Sequence, residues 1–280
     1  MSRPAASARR VALAAAALLA AAPAGAQRRT VEFTRQLRDT LPLEVVVDHG
    51  VGKVVLHGTD ERLLYQAQLA YDPRRSEPVY DYDAAARRLR VGARRPGEGA
   101  GGAPELRLDL ARSVPVALTV NMGTAEADLD LGGMRLTRLA VESGASDAVL
   151  HFDAPNRVPM ERLDLDVGAA SLRARGLANA RARDVRVRMN VGSAELDFDG
   201  EWTTDVELQL QITVGKVVLR VPDDVGVRVE TSGILGSFDD TGFERRGDAW
   251  LSPNWNSAAR KLVVRSRTTV GRLEIRRGAS

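Results

Sequence analysis

Apolar and polar residues alternate along most of the chain, and the phase of that alternation flips at recurring glycines. Val185, Val187, Met189 and Val191 take every second position before Gly192, whereas Ala194, Leu196 and Phe198 take the opposite parity after it. Around Gly215 the two sets are Leu208, Leu210, Ile212 and Val214, then Val217, Leu219 and Val221. Gly123 (Val116, Leu118, Val120, Met122, then Ala125, Ala127, Leu129) and Gly168 (Leu163, Leu165, Val167, then Ala170, Leu172, Ala174) repeat it. A period of two is that of a strand with one buried face. A one-residue slip would turn the rest of such a strand inside out unless the backbone bends there, and glycine tolerates the positive φ that such a bend commonly needs. Each repeat therefore predicts strand, glycine corner, strand and loop, with both arms feeding one interior.

Glycines of this kind stand at Gly52, Gly123, Gly144, Gly168, Gly192, Gly215, Gly236 and Gly271, and from Gly123 to Gly236 the steps are 21, 24, 24, 23 and 21. A step in the low twenties is that of a solenoid, whose repeats bury their apolar faces only by stacking on one another. The predicted fold is all-β: a single-stranded β-helix (β-solenoid), right-handed, with repeats of about 21–24 residues and almost no helix outside an N-terminal signal. Rungs in register about 4.8 Å apart would put Leu172, Leu196 and Leu219 in one interior column, turn Val191 and Ala194 toward the same core, and set Arg173 and Arg175 over Asp197 and Asp199. Breakers mark the loops, at Gly132-Gly133, Asp153-Ala154-Pro155-Asn156, Gly176, Gly200 and Pro222-Asp223-Asp224.

The chain before Gly123 is less regular, with two or three strands over Val31 to Leu56 around His49-Gly50-Val51-Gly52, another at Tyr65 to Tyr71 and a short one at Arg87 to Val91. The expected organisation is a signal peptide over 1–26, an N-terminal β segment packing on the solenoid over 27–95, a Gly/Pro-rich loop over 96–104 and solenoid repeats over 105–277. Residues 242–261, with Trp250, Pro253 and Trp255, depart from the repeat and read as a cap on the open end.

Composition agrees with a thin, layered interior: 44% of the 280 residues are hydrophobic but only 4% aromatic. The +3 charge comes entirely from Arg3, Arg9 and Arg10; the 40 basic residues less these three leave 37, against 37 acidic ones. A neutral remainder lacks the electrostatic footprint of a nucleic-acid binder, so that partner class is set aside. Arg9 and Arg10, the apolar run Val11 to Ala22 and Ala24-Gly25-Ala26 have the form of an export signal cleaved before Gln27. Twelve apolar residues are short for a bilayer span, and nothing later approaches 18, so no transmembrane span is expected in the mature chain. No cysteine occurs, which removes disulfides, thiol nucleophiles and the lipid-acceptor residue of a lipoprotein. A periplasmic or secreted location is expected.

Few residues invite chemistry. The histidines are His49, His57 and His151, with His49 beside the first corner and the other two at outward positions; all three read as surface residues. Asp128 with Asp130, Asp164 with Asp166, and Asp197 with Asp199 could bind a cation or act as a glycosidase pair, but alternation puts polar residues at every outward position anyway. The G-x-G-x-x-G match at Gly97 to Gly102 leads into Pro104 and a strand rather than a helix, so it lacks the context of a phosphate cradle. Trp202, Trp250 and Trp255 could stack on sugars, and core filling or capping is the plainer reading. No catalytic, cofactor-binding or metal-ligating residue is assigned, and no cofactor is expected.

The stretch Val214 to Phe238, VGKVVLRVPDDVGVRVETSGILGSF, resembles the C-terminal domain of LiaF-like proteins: a glycine-containing strand, a P-x-x-V-x-V-x-V strand from Pro222 and a G-x-L-G-S corner from Gly233 to Ser237. A last V-G-x-x-E-I strand corresponds to Val270 to Ile275, with Leu273 and Glu274 inside it. The repeats from Leu118 to Phe198 are similar to the related toast-rack domain, an adhesin-type domain, and the resemblance spans roughly residues 30–277. It implies a stacked β-helix outside the cytoplasm, with roles in envelope-stress sensing, surface binding or scaffolding, and it supplies no catalytic residues. LiaF-like proteins restrain a membrane histidine kinase and carry N-terminal transmembrane helices, where this chain has a cleavable-looking signal. The function expected is that of a non-catalytic, exported cell-envelope binding or stress-sensing module, its partner an envelope protein or cell-surface polymer. The alternatives are a polysaccharide-active β-helix enzyme and a purely structural, adhesin-like surface protein.

Overall fold

The computed structural model describes residues 28–94 and 102–278, so the expected signal peptide and most of the 96–104 loop lie outside the described residues. Five strands precede the break: β1 (Arg29–Gln36), β2 (Leu43–Thr59), β3 (Leu63–Tyr71), β4 (Glu77–Asp83) and β5 (Arg88–Arg94). Ten follow: β6 (Glu105–Ala111), β7 (Pro115–Asp130), β8 (Arg135–His151), β9 (Arg162–Arg175), β10 (Asp184–Asp197), β11 (Val206–Val221), β12 (Gly226–Asp239), β13 (Glu244–Arg246), β14 (Ala249–Leu251) and β15 (Lys261–Arg277). The only helical turn among the described residues is the 3-10 segment Leu177–Ala180. The fold is a β-solenoid of long bent strands, each forming both arms of one tier.

The bent strands stack in parallel and in register in the order β2, β7, β8, β9, β10, β11, β15, β12. Tier order thus departs from chain order at the end: β15 pairs with β11 from Val206↔Leu262 to Val221↔Arg277, and with β12 on its other side. On the far side of β2 one tier is split, with β5 running parallel to the first arm of β2 and β6 parallel to its second arm. Unbroken aliphatic columns fill the interior. One runs Val45, Leu118, Leu139, Leu163, Val185, Leu208, Val264, Val229 in register across eight tiers, and each member is at most 2% exposed. β-Branched and leucine side chains suit such a column because they fill a narrow pleated interior without polar atoms.

The bend is wider than one glycine. In β10 the first arm buries Val185, Val187 and Met189 and the second arm buries Ala194 and Leu196, while Asn190 to Ser193 all face outward. Val191 is 51% exposed and Ala194 3%, so these two do not share the core; the phase flip is carried by a four-residue corner between Met189 and Ala194. Glycine occupies two different places in that corner. Gly123, Gly144 and Gly168 stand in register at its first position, whereas Gly192, Gly215 and Gly271 align at its third, across from Ala170, Ser146 and Ala125 in the earlier tiers. Matching repeats by their glycines therefore misplaces β9 against β10 by two residues. Leu172 stands in the column of Ala194 and Val217, Leu196 in that of Ala174 and Leu219, and Arg173 faces Glu195 rather than Asp197. Gly192 and Gly215, at the third position, have positive φ, +135° and +150°. First-position glycines do not; there, a Cβ on Gly144 would come within 2.9 Å of the Gly123 carbonyl oxygen of the tier before.

Both ends carry antiparallel strands. β4 pairs with β5, and β3 with β6 and then β1, an edge closed by aromatic contacts. Phe33 stacks on Tyr80 at 3.9 Å, the Tyr65 and Tyr80 hydroxyls lie 2.8 Å apart, and the Arg35 guanidinium sits 4.1 Å over the Tyr82 ring. At the other end the segment expected to cap the stack covers only part of it, because β14 pairs with β12 at Arg228 to Glu230 alone. Trp250 packs there against Phe238 at 6.0 Å.

Return turns are joined by buried asparagines. Asn156, fully buried, accepts from Leu136 N–H (2.8 Å) and donates to the carbonyls of Leu136 (2.8 Å) and Val158 (2.7 Å). Asn179 likewise donates to Phe152 O (2.8 Å) and accepts from Glu201 N–H (2.8 Å). Buried backbone groups left unpaired are costly. Replacing Asn156 by alanine is expected to lower stability by about 3 kcal/mol, read as a lower urea midpoint at unchanged m-value; an unaltered midpoint would show that these bonds carry no weight.

Candidate functional site

One outward column of the first arms is polarised along the solenoid axis. The column nearest the corner reads Asp48, Asn121, Glu142, Asp166 on β2 to β9, then Arg188, Gln211, Arg267 and Ser232 on β10 to β12. In this column acidic residues thus gather in one half and arginines in the other, although the sequence after residue 27 carries equal numbers of acidic and basic residues.

The basic half forms a cleft of about 710 Å³ across β10, β11, β15 and β12, lined chiefly by Arg186, Arg188, Gln209, Gln211, Arg265 and Arg267, with Glu230 and Ser232 at one end. Two of these arginines are balanced: Arg188 lies 3.3 Å from Asp166, and Arg265 lies 3.0 Å from Glu207 and 3.3 Å from Glu230. Neither Arg186 nor Arg267 has an anionic partner among the described residues, and Arg186 Nε is buried without a hydrogen-bond acceptor. Guanidinium groups left in this state favour carboxylate or phosphate oxygens, which they bind in bidentate fashion. The acidic half forms a second cleft of about 580 Å³ around Asp48, Asn121, Glu142 and Asp166. Asp48 is held there by Arg90 and by Asn121 Nδ2 at 2.8 Å.

His49 lies beneath that second cleft and is not the surface residue its sequence position suggested. It is 1% exposed and occupies an interior column with Met122, and its Nε2 lies 3.3 Å from Pro104 O. Burial lowers its pKa below the ordinary 6.5, partly offset by the Pro104 carbonyl. His57 and His151 do face outward, 3.9 Å from Asp130 and 3.8 Å from Asp128. These contacts place a histidine beside each of Asp128 and Asp130 on the second-arm face.

The remaining carboxylate pairs are similarly accounted for. Arg188 engages Asp166, and Asp164 lies 4.0 Å from Arg162. Burial raises the Asp197 carboxyl, which also accepts the Asp199 N–H at 3.0 Å. The cleft around that pair measures only about 50 Å³, far below the roughly 300 Å³ of the smaller ordinary ligand pockets, so it has no room for a sugar ring. No group of three or more His, Asp or Glu with metal-site geometry occurs among the described residues. The three tryptophans serve packing or edge positions: Trp202 lies against Phe198 and donates to its carbonyl at 2.9 Å, Trp250 packs on Phe238, and Trp255 lies under Lys261. No helix among the described residues is long and apolar enough to cross a membrane.

A β-solenoid with polar, charge-laddered outer faces defines the class to which this protein belongs. Residues 24–157 match the family described as the N-terminal domain of toast_rack, DUF2154, which supports a toast-rack family domain over that stretch. That match takes in the irregular N-terminal region and the first repeats, and ends before the LiaF-like stretch. No curated protein matches the chain. Among solved structures, a candidate cell adhesion protein from Clostridium sporogenes is 16% identical with a TM-score of 0.43, over 89% of this chain and 100% of that one. A candidate adhesin from Parabacteroides merdae is 13% identical with a TM-score of 0.41, over 89% and 96%.

The arginine cleft was not foreseen from the sequence. Its residues are visible as outward positions in Val185 to Met189 and Leu262 to Arg267, but those segments become near neighbours only through the insertion of β15 beside β11.

A base whose pKa is lowered on folding binds protons more readily when unfolded, so its contribution is intact above pH 6.5 and is lost as pH falls below it. Stability is therefore expected to fall from pH 7.5 to 5, with His49 contributing up to about 1.4 kcal/mol per pH unit in that interval. His49→Met, matching Met122 in the same column, is expected to flatten the pH dependence of the denaturation midpoint. An unchanged slope in that variant would sink the assignment.

Proposed function

We propose that this protein is a non-catalytic, exported module of the bacterial cell envelope that binds an anionic polymer or partner along the outer face of its first arms. Residues 1–26 act in this reading as the cleaved export signal. The observation that carries the proposal is the cleft of about 710 Å³ in which Arg186 and Arg267 lack anionic partners among the described residues while glutamines stand between them. Arg186, Gln209 and Arg265 share one cross-tier row, and Arg188, Gln211 and Arg267 the next, so donors recur along the axis at about 4.8 Å. A linear polymer bearing carboxylates or phosphates, laid along the axis, would meet several of them at once. The solenoid supports this use because it presents extended, regular surfaces. Stress sensing follows, in this reading, from occupancy of this face.

The test is titration of the chain lacking residues 1–26 with polygalacturonate and with polyphosphate, using neutral dextran as control. Binding to at least one polyanion that weakens with salt is expected, and a hydrogen bond to a charged group is worth about 1.5–3 kcal/mol. The Arg186→Ser/Arg267→Ser double variant is accordingly expected to bind at least about tenfold more weakly. Arg173→Ser, on the second-arm face, should bind as the parent does. Equal affinity in the double variant would place binding elsewhere, and no binding to either polymer would remove the reading.

A further inference from the structure

Among the described residues, the sheet edges are protected at every terminus but one. β1 carries Arg29, Glu32 and Arg35; β4 carries Pro78 with Glu77, Asp81 and Asp83; β13 has only three residues, all charged. Charge, proline and shortness are the devices that keep an edge strand from pairing with another chain. The remaining edge is β12 from Thr231 onward. Its one neighbour there is β15, since β14 stops at Glu230, and Thr231 to Phe238 contains neither a charged residue nor a proline. Ile234 is 83% exposed and Leu235 70%, and Leu235 extends a corner ridge through Val270, Val214 and Val191, which are 41%, 43% and 51% exposed.

We infer that Thr231–Phe238 is a self-association edge, through which two copies of this chain join end to end across a twofold axis. The occupant follows from the edges themselves. Head-to-tail stacking needs a bare edge at the opposite end, and that end is sealed by β1 and β4. The same segment in a second copy is the complement the chain does supply, and a shared twofold contact closes without growing. The sequence TSGILGSF is nearly symmetric about its centre. Antiparallel pairing with Ile234 opposite Leu235 sets Gly233 against Gly236, Ser232 against Ser237 and Thr231 against Phe238, so small faces small and no charges meet. The bend suits the same operation: a twofold axis along the bisector of the corner exchanges the two arms, laying the end of each first arm over the start of the other copy's second arm. Apolar cross-strand pairs at the axis and main-chain hydrogen bonds on both sides supply the attraction.

The chain lacking residues 1–26 is expected to sediment at twice its monomer mass at micromolar concentration. Ile234→Lys/Leu235→Lys, at positions already exposed, is expected to sediment as a folded monomer with an unchanged circular dichroism spectrum. Because the chain has no cysteine, register can be read directly. Ser232→Cys and Ser237→Cys chains mixed under oxidation should give far more covalent dimer than either alone. A wild-type monomer at 100 µM, which would leave the edge to a strand from another protein, overturns the inference. So do open filaments, a dimer that survives both lysines, or cross-linking equal in the mixed and single pools.

Discussion

Everything in this molecule depends on keeping one register through a bend. Parallel strands in line before and after a corner bring backbone to backbone at the corner itself, and there a side chain has nowhere to go: a Cβ on Gly144 meets the carbonyl oxygen of Gly123 one tier below. Glycine at either the first or the third corner position meets this constraint, once by leaving out a side chain against a neighbouring carbonyl and once by taking a positive φ. With the corner held, both arms present their apolar residues to the same narrow interior, and columns such as Val45 to Val229 form unbroken.

The solenoid was readable in advance because its two signals are local: period-two alternation and a phase flip near a glycine are both visible within about 15 residues. Register was not readable. Gly168 and Gly192 look equivalent in sequence, yet Gly168 opposes Asn190 and Gly192 opposes Ala170, so alignment by glycine displaced Leu172 and Arg173 by two positions. Nor did alternation reveal how wide the corner is, since Val191 continues the apolar parity of its arm and still points outward. His49 was misread for the reverse reason. A polar residue beside a glycine looked exposed, but the corner begins one residue later and leaves the ring inside. The arginine cleft was hidden by topology, because it exists only where a strand from the end of the chain enters between two earlier ones.

Net charge proved a poor guide to local charge. The sequence after residue 27 balances its acids and bases, and most of the visible ion pairs are exposed and contribute little to stability each. Their arrangement matters more than their sum. In the outward column nearest the corner, acidic residues stand on β2, β8 and β9 and arginines on β10 and β15, so a balanced chain carries a lengthwise charge separation along that one column. Glu195 and Glu274 show the same ladder principle on the second-arm face, where Arg220 holds the one low and Lys216 with Arg276 hold the other down to about 2.

The insertion of β15 between β11 and β12 also governs how the molecule can be completed. A chain emerging from a ribosome or a translocation pore could lay down β2 to β11 one after another, each strand templated by the last. At that point orderly growth stops, because β12 is not a hydrogen-bonded neighbour of β11 and has only the short β14 beside it until the 17 residues of β15 have arrived. The last two tiers therefore condense together, which makes β15 the closing element of biogenesis rather than a dispensable addition.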